Sequence, residues 1–213
     1  MCDPRAVPAN RCDGSVEAMT NAVKTETAER ATAAKKILVC ALCVLCGFAF
    51  GQRSAAQAAG PVIVVETSKG TFAFETYPEE APKTVAHVVE LVKQGFYDGQ
   101  RIHRAVPGFV IQWGDPRSRD LAQESDWGLG PAASSGKPIG TSEISRKRTH
   151  TAGAVGMAHP GLPSQADSQI YVTLANRPDL NFKYTVFGQV IEGEDVPSRL
   201  ERGDVIRRVS VRE

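Results

Sequence analysis

Residues 102–115, IHRAVPGFVIQWGD, place one arginine, Arg104, a few positions ahead of an apolar pair, Phe109-Val110, and then of an amide, Gln112. Two later stretches, GAVGMAH at 153–159 and SQIYVTL at 168–174, add small and aromatic residues on the two-residue alternation of strands. A guanidinium stays protonated, so it donates hydrogen bonds and never takes a proton. Groups suited to covalent or metal chemistry occur in the chain without organisation. Ser, His and Asp are present, but no G-x-S-x-G or comparable frame ties a nucleophile to a base and its orienter. His87, His103, His150 and His159 lack zinc-ligand spacing, and all five cysteines precede residue 47. No cofactor or metal is therefore expected.

Taken together, the three stretches resemble the active-site signature of cyclophilins, the peptidyl-prolyl cis–trans isomerases, with order and spacing kept from about residue 61 to 211. The resemblance implies an enzyme that rotates X–Pro bonds in proline-containing polypeptides. It makes Arg104 the catalytic arginine, within the family-like His103-Arg104 pair. Phe109, Val110 and Tyr171 would wall the proline pocket, Leu180 would close one side, and Gln112 and the backbone of Ala158 would bind the substrate main chain. Tyr184 stands where the family often carries histidine; this looks like a bacterial-type substitution that still offers a hydroxyl. Each assignment has a plainer competitor: a surface ion pair for Arg104, ordinary core for Val110. A general base at His103 is not needed, since that histidine is structural in cyclophilins. The rival from another class is a catalytically weak proline-binding chaperone module, which needs nearly the same groove but could dispense with Arg104.

Several positions depart from the family pattern. Tyr171 replaces phenylalanine, His159 a common asparagine and Trp113 a common glycine. Asp179 stands where many cyclophilins have the tryptophan that is their main handle for cyclosporin.

The elements needed to position these groups are legible in outline. VIVVETSKGTFAFETY reads as a hairpin turning at Ser68-Lys69-Gly70, and Pro82 and Gly95 bracket a helix whose stripe is Val85, Val88, Val89 and Val92. Strand-like pieces follow at 102–104, 109–113, 153–157, 169–174, 184–190 and 205–211, with a short helix within 196–202. Many strands joined by short loops predict a mainly β domain. The resemblance sharpens this to a closed eight-stranded antiparallel barrel capped by two α-helices. Between residues 117 and 148 the apolar pattern gives way to Gly, Ser and charge, a loop long enough to be functional or family-specific.

The front of the chain has a different character. Lys35-Lys36, an uncharged run at 37–50 and Ala56-Gln57-Ala58 form the three parts of a secretory signal. The run is short for a membrane span, so cleavage is expected, with an uncleaved anchor as the alternative and membrane contact only through 37–50. Residues 1–34 are polar and aperiodic and read as a disordered extension, with Met19 a second start. Cleavage after Ala58 leaves 155 residues, 59–213, for one exported domain with 18 basic and 19 acidic side chains. That balance gives no electrostatic reason to bind nucleic acid. A monomer is expected.

Overall fold

The computed structural model describes residues 60–129 and 134–212. The stretch at 1–34 read as an extension and that at 35–58 read as a signal peptide or anchor lie outside the described residues. Eight antiparallel strands carry the fold: β1 (Val62–Thr67), β2 (Gly70–Thr76), β3 (Arg104–Val106), β4 (Val110–Trp113), β5 (Ala154–Met157), β6 (Ile170–Thr173), β7 (Val186–Glu192) and β8 (Ile206–Arg212). They lie side by side in the order β3-β4-β6-β5-β7-β2-β1-β8. Helix α1 (Pro82–Lys93) has three turns and α2 (Val196–Arg199) has one. Among the described residues, no helix is long and apolar enough to cross a membrane.

The expected closed barrel is instead an open, curled sheet: no ladder joins β3 to β8. The reason is the brevity of β3, three residues of which two are exposed. The seam is filled by residues 98–102 as they run past β8. Gly99 N–H donates to Ile206 O, Ile206 N–H to Gln100 O and Val209 N–H to the Asp98 carboxylate, each at 2.8 Å, and Arg101 forms a single bridge with Val205. Strand β3 also starts two residues later than the alternation predicts, at Arg104 instead of Ile102, because Ile102 N–H is spent on Asp204 O.

The hairpin of β1 and β2 turns where expected, with Gly70 at a φ of 136° that a side chain would resist. In α1, Pro82 occupies the first turn and the chain leaves through Gly95 at φ 66°. The helix buries Thr84, Val85, Val88, Leu91 and Val92; of the predicted stripe, Val89 lies at the margin and Leu91 takes a central place. Its first free N–H groups, on Lys83 and Thr84, donate to the two carboxylate oxygens of Glu143, at 3.0 and 2.8 Å. The long loop is therefore tied to the helix. It also holds two 3-10 segments, Pro116–Arg119 and Leu121–Asp126, that sequence reading missed, each started by an aspartate (Asp115, Asp120) accepting a backbone N–H. Short polar caps of this kind carry no apolar period and leave no hydrophobic signal.

The core lies on one face of the sheet. Phe72 meets Trp113 edge-on at 6.2 Å and Phe74 meets Phe187 at 6.0 Å, with Ile111, Val155, Met157 and Val172 fully buried beside them. Strand pairing decides which face each residue takes. Ile111 is opposite Val172, and Val172 opposite Val155, so one row points into the core. In the next row Arg104 is opposite Gln112, Gln112 opposite Tyr171, and Tyr171 opposite Gly156, all on the other face.

Candidate active site

That outward row forms the middle of a small open groove with a cavity volume of about 180 Å³. Its lining is Arg104, Phe109, Val110, Gln112, Ala158, His159, Tyr171, Leu180 and Tyr184. All eight residues singled out from the sequence meet here, with His159 as a ninth. They come from β3, β4 and β6, from the turn before β4, from the end of β5, and from the connection between β6 and β7. Val110 combines the two roles considered for it, being buried and part of the wall.

Arg104 is exposed, and its guanidinium carbon lies 5.3 Å from the centre of the Phe109 ring. Among the described residues no carboxylate pairs with it, which removes the surface ion-pair reading. The other guanidinium on Phe109 is different. Arg177 lies 4.0 Å from that ring and is held by two 2.9 Å hydrogen bonds to the carboxylate of Asp179. Asp179 is thus a partner of Arg177 at the rim and does not line the groove.

Most other polar groups at the groove are already committed. Gln112 Nε2 donates to Gln169 Oε1 at 2.8 Å, which leaves the Gln112 oxygen for a ligand. Ala158 N–H donates to Gln169 O, so of its two backbone groups only the carbonyl remains for a substrate; the expectation of a whole backbone contact narrows to that oxygen. His159 Nε2 donates to Lys183 O at 3.0 Å while its ring lies 4.6 Å from that of Tyr184. The Tyr171 hydroxyl bonds His150 Nε2 at 2.8 Å, and Tyr184 packs edge-on against the Tyr171 ring at 5.8 Å. Gly156 makes room for Tyr171: a Cβ there would sit 2.4 Å from the phenolic carbon and oxygen.

Sequence reading missed Gln169, His150 and Arg177 and left His159 unassigned. Gln169 could have been found, because it shares the parity of Tyr171 in SQIYVTL. His150 and Arg177 gave no local signal, since they reach the groove through contacts with residues 21 and 68 positions away. Phe182, exposed between the two wall residues Leu180 and Tyr184, adopts φ 60°, a strained conformation for an aromatic residue. Among the described residues, no cluster of His, Cys, Asp and Glu is arranged to hold a metal ion.

His103 is buried at 3% exposure, and neither ring nitrogen has a hydrogen-bond partner among the described residues. Burial pushes its pKa down to about 4, against the attraction of Asp115 and with help from Arg202, Arg104 and Arg117. It is neutral at neutral pH. Burial also lowers His150, opposed by its bond to Asn181, and raises the Tyr171 hydroxyl far above the usual phenol range.

The family model for "Cyclophilin type peptidyl-prolyl cis-trans isomerase/CLD" matches residues 62–212, which is most of the chain and all eight strands. The chain belongs to the cyclophilin family. Among its relatives is peptidyl-prolyl cis-trans isomerase B of Bacillus subtilis, 39% identical over 138 residues, spanning 65% of this chain and 88% of that protein. Peptidyl-prolyl cis-trans isomerase CYP18-2 of Arabidopsis thaliana is 37% identical over 141 residues, 66% of this chain and 80% of its own. In fold the chain is similar to a cyclophilin-type isomerase of Cryptosporidium parvum, with a TM-score of 0.62, 23% identity, and coverage of 72% of this chain and 98% of that one.

The buried histidines of this cyclophilin domain predict acid sensitivity. A base whose folded pKa lies below its unfolded value takes up more protons when unfolded, so the stability it supports is complete above about pH 6.5 and declines as pH falls toward 4. His103 alone is expected to cost about 2 kcal/mol by pH 5. Urea unfolding at pH 7.5 and pH 5 checks this, and replacing His103 by Asn should flatten the difference; equal midpoints for the unaltered protein would contradict it.

Proposed function

We propose that the protein catalyses cis–trans rotation of X–Pro peptide bonds without a cofactor. The observation that carries this reading is the row Arg104–Gln112–Tyr171 across three paired strands, with Phe109 against the arginine, in a chain of the cyclophilin family. Peptide rotation faces a barrier of about 18–20 kcal/mol because the nitrogen lone pair is delocalised into the carbonyl. Uncatalysed X–Pro bonds exchange in tens to hundreds of seconds, and a millisecond turnover requires about 5–6 kcal/mol off that barrier. No bond breaks, so neither a nucleophile nor a base is required. The catalyst must hold the proline, fix one side of the bond, and favour the twisted state in which the lone pair returns to nitrogen.

The groove supplies these in turn. Phe109, Val110, Tyr171 and Leu180 offer apolar walls for the proline ring. The Gln112 oxygen and the Ala158 carbonyl are left to accept N–H groups of the substrate main chain, and the Tyr184 hydroxyl lies at the same wall. Arg104, with no carboxylate partner among the described residues, can donate to the prolyl nitrogen and its neighbouring carbonyl, an interaction that strengthens as the bond twists. The groove is complete within one chain, which supports action as a monomer.

Arg104→Ala is expected to leave the fold intact and to lower kcat/KM by about 2–4 kcal/mol, in line with loss of a preorganised donor. Arg104→Lys should rescue poorly, lacking the planar fork. Exchange spectroscopy on an X–Pro peptide reads both. A variant retaining over half the activity would show that the mechanism is wrong, and a chaperone that only binds proline would be indifferent to the change.

We also propose that the domain, residues 59–213, is exported and of bacterial type, supported by Lys35-Lys36, the uncharged run at 37–50, Ala56-Gln57-Ala58 and Tyr184. Mass spectrometry of protein from the native host should find an N-terminus at or near Ala59. An intact N-terminus in the membrane fraction would point to the anchor.

Inhibition by cyclosporin is expected to be weak. Asp179 takes the place of the family's indole, is an acceptor only, and is occupied by Arg177. Losing a donor and setting a carboxylate against an apolar ring weakens binding by about two orders of magnitude. Nanomolar inhibition would refute this, and Asp179→Trp should gain sensitivity.

A further inference from the structure

His150 lies behind the groove at 2% exposure, outside its lining, and uses all four of its polar groups on the two walls. Its backbone N–H donates to Asn181 Oδ1 at 2.8 Å and its carbonyl accepts Arg177 N–H at 2.7 Å. In the ring, Nδ1 lies 3.0 Å from the same Asn181 oxygen and Nε2 lies 2.8 Å from the Tyr171 hydroxyl. These partners fix the tautomer. The Asn181 atom accepts a backbone N–H and is therefore the oxygen, so Nδ1 must carry the proton. A neutral ring then leaves a lone pair on Nε2, and the Tyr171 hydroxyl donates to it.

We propose that His150 is a positioning residue for the proline pocket: a neutral, Nδ1-protonated imidazole that ties Tyr171 on β6 to the 177–181 turn carrying Leu180. This rests on the isomerase reading and adds to it the part that sets the width of the pocket. Tyr171 has a slot for its ring only because position 156 is glycine, and His150 anchors the far end of that ring. The 177–181 turn has its own short bonds, Leu180 N–H to Arg177 O and Asn181 N–H to Pro178 O, and Arg177 rests on the Phe109 ring, while His150 is what joins the turn to Tyr171 on β6. Fixing that distance in advance spares the substrate the cost of ordering the walls.

Protonation of His150 undoes the tie. Nε2 would turn from acceptor to donor, and the Tyr171 hydroxyl, 4% exposed with its residue, would lose the acceptor for its hydrogen. The charged and titratable groups around the ring are few. Asp179 on the turn favours the protonated form but is paired with Arg177; Tyr171 faces it from β6, with Tyr184 behind that ring; Arg148, two residues upstream, is paired with Glu80. Burial outweighs Asp179 and keeps the ring neutral near pH 7.

The test uses the full domain with 15N-labelled histidine and an X–Pro peptide, comparing the unaltered protein with Tyr171→Phe and His150→Gln. At pH 7.5 the nitrogen shifts of His150 should show Nδ1 protonated and Nε2 bare. Peptide affinity, read by titration, should fall about tenfold in Tyr171→Phe, the effect of one lost buried hydrogen bond. As pH is lowered from 7.5 through the acid range below 6.5 the unaltered protein should lose affinity, whereas Tyr171→Phe, having no hydroxyl to strand, should lose less. His150→Gln, which keeps a donor and an acceptor but does not titrate, should restore pH independence with near-normal affinity. His159 is present in all three proteins, so its contribution to the groove is common to them. A proton on Nε2 at pH 7.5, or the same pH dependence in Tyr171→Phe as in the unaltered protein, would overturn the proposal. A protein that binds the peptide with the predicted pattern but does not speed its exchange would instead fail the isomerase reading and leave the role of His150 standing.

Discussion

The site depends first on strand register. Strand β4 lies between β3 and β6, and its alternation sends Ile111 and Trp113 into the core while Val110 and Gln112 face the groove. Because Ile111 is opposite Val172 and Gln112 opposite both Arg104 and Tyr171, apolar burial on one face locks the alignment of the polar row on the other. A slip of β4 by one residue would bury the amide of Gln112 and expose Ile111 and Trp113, a loss of several kcal/mol with nothing to offset it. The hydrophobic core is thus the device that aligns three functional side chains from three separate stretches of sequence.

Electrostatics then separates two arginines that sit on one ring. Arg177 and Arg104 both approach Phe109, but Arg177 is neutralised by the bidentate Asp179 whereas Arg104 has no carboxylate partner among the described residues. With Gln112 held by Gln169, Tyr171 by His150 and His159 by Lys183, the groove presents few uncommitted donors. Arg104 is the charged one. Preorganisation here consists of committing most polar groups of the groove to protein partners while leaving Arg104 for a twisting peptide.

How much of this the sequence disclosed follows from the range of the forces involved. The β1–β2 hairpin, α1 and most strands were legible because alternation and helical spacing are local, and the groove residues were found because the motif that carries them keeps its spacing. The late start of β3 and the open seam were not legible. They depend on hydrogen bonds from Ile102 to Asp204 and from Gly99 to Ile206, between segments about a hundred residues apart. The same holds for Glu143 at the start of α1 and His150 behind Tyr171, polar contacts that no periodicity announces. The tyrosine at position 171 was visible as a departure from the family, but its partner became evident only in three dimensions.

The way the sheet ends has a consequence of its own. Unpaired strand edges recruit other extended chains. Neither edge here offers a useful template. Strand β3 is too short to seed a ladder, and the outer rim of β8 is already occupied by residues 98–101, with the Asp98 carboxylate taking the N–H of Val209. The residues that fill the seam where the barrel stays open thus also cover its outer edge. The groove can hold a segment of chain for one rotation and release it, because no backbone ladder is available to retain it.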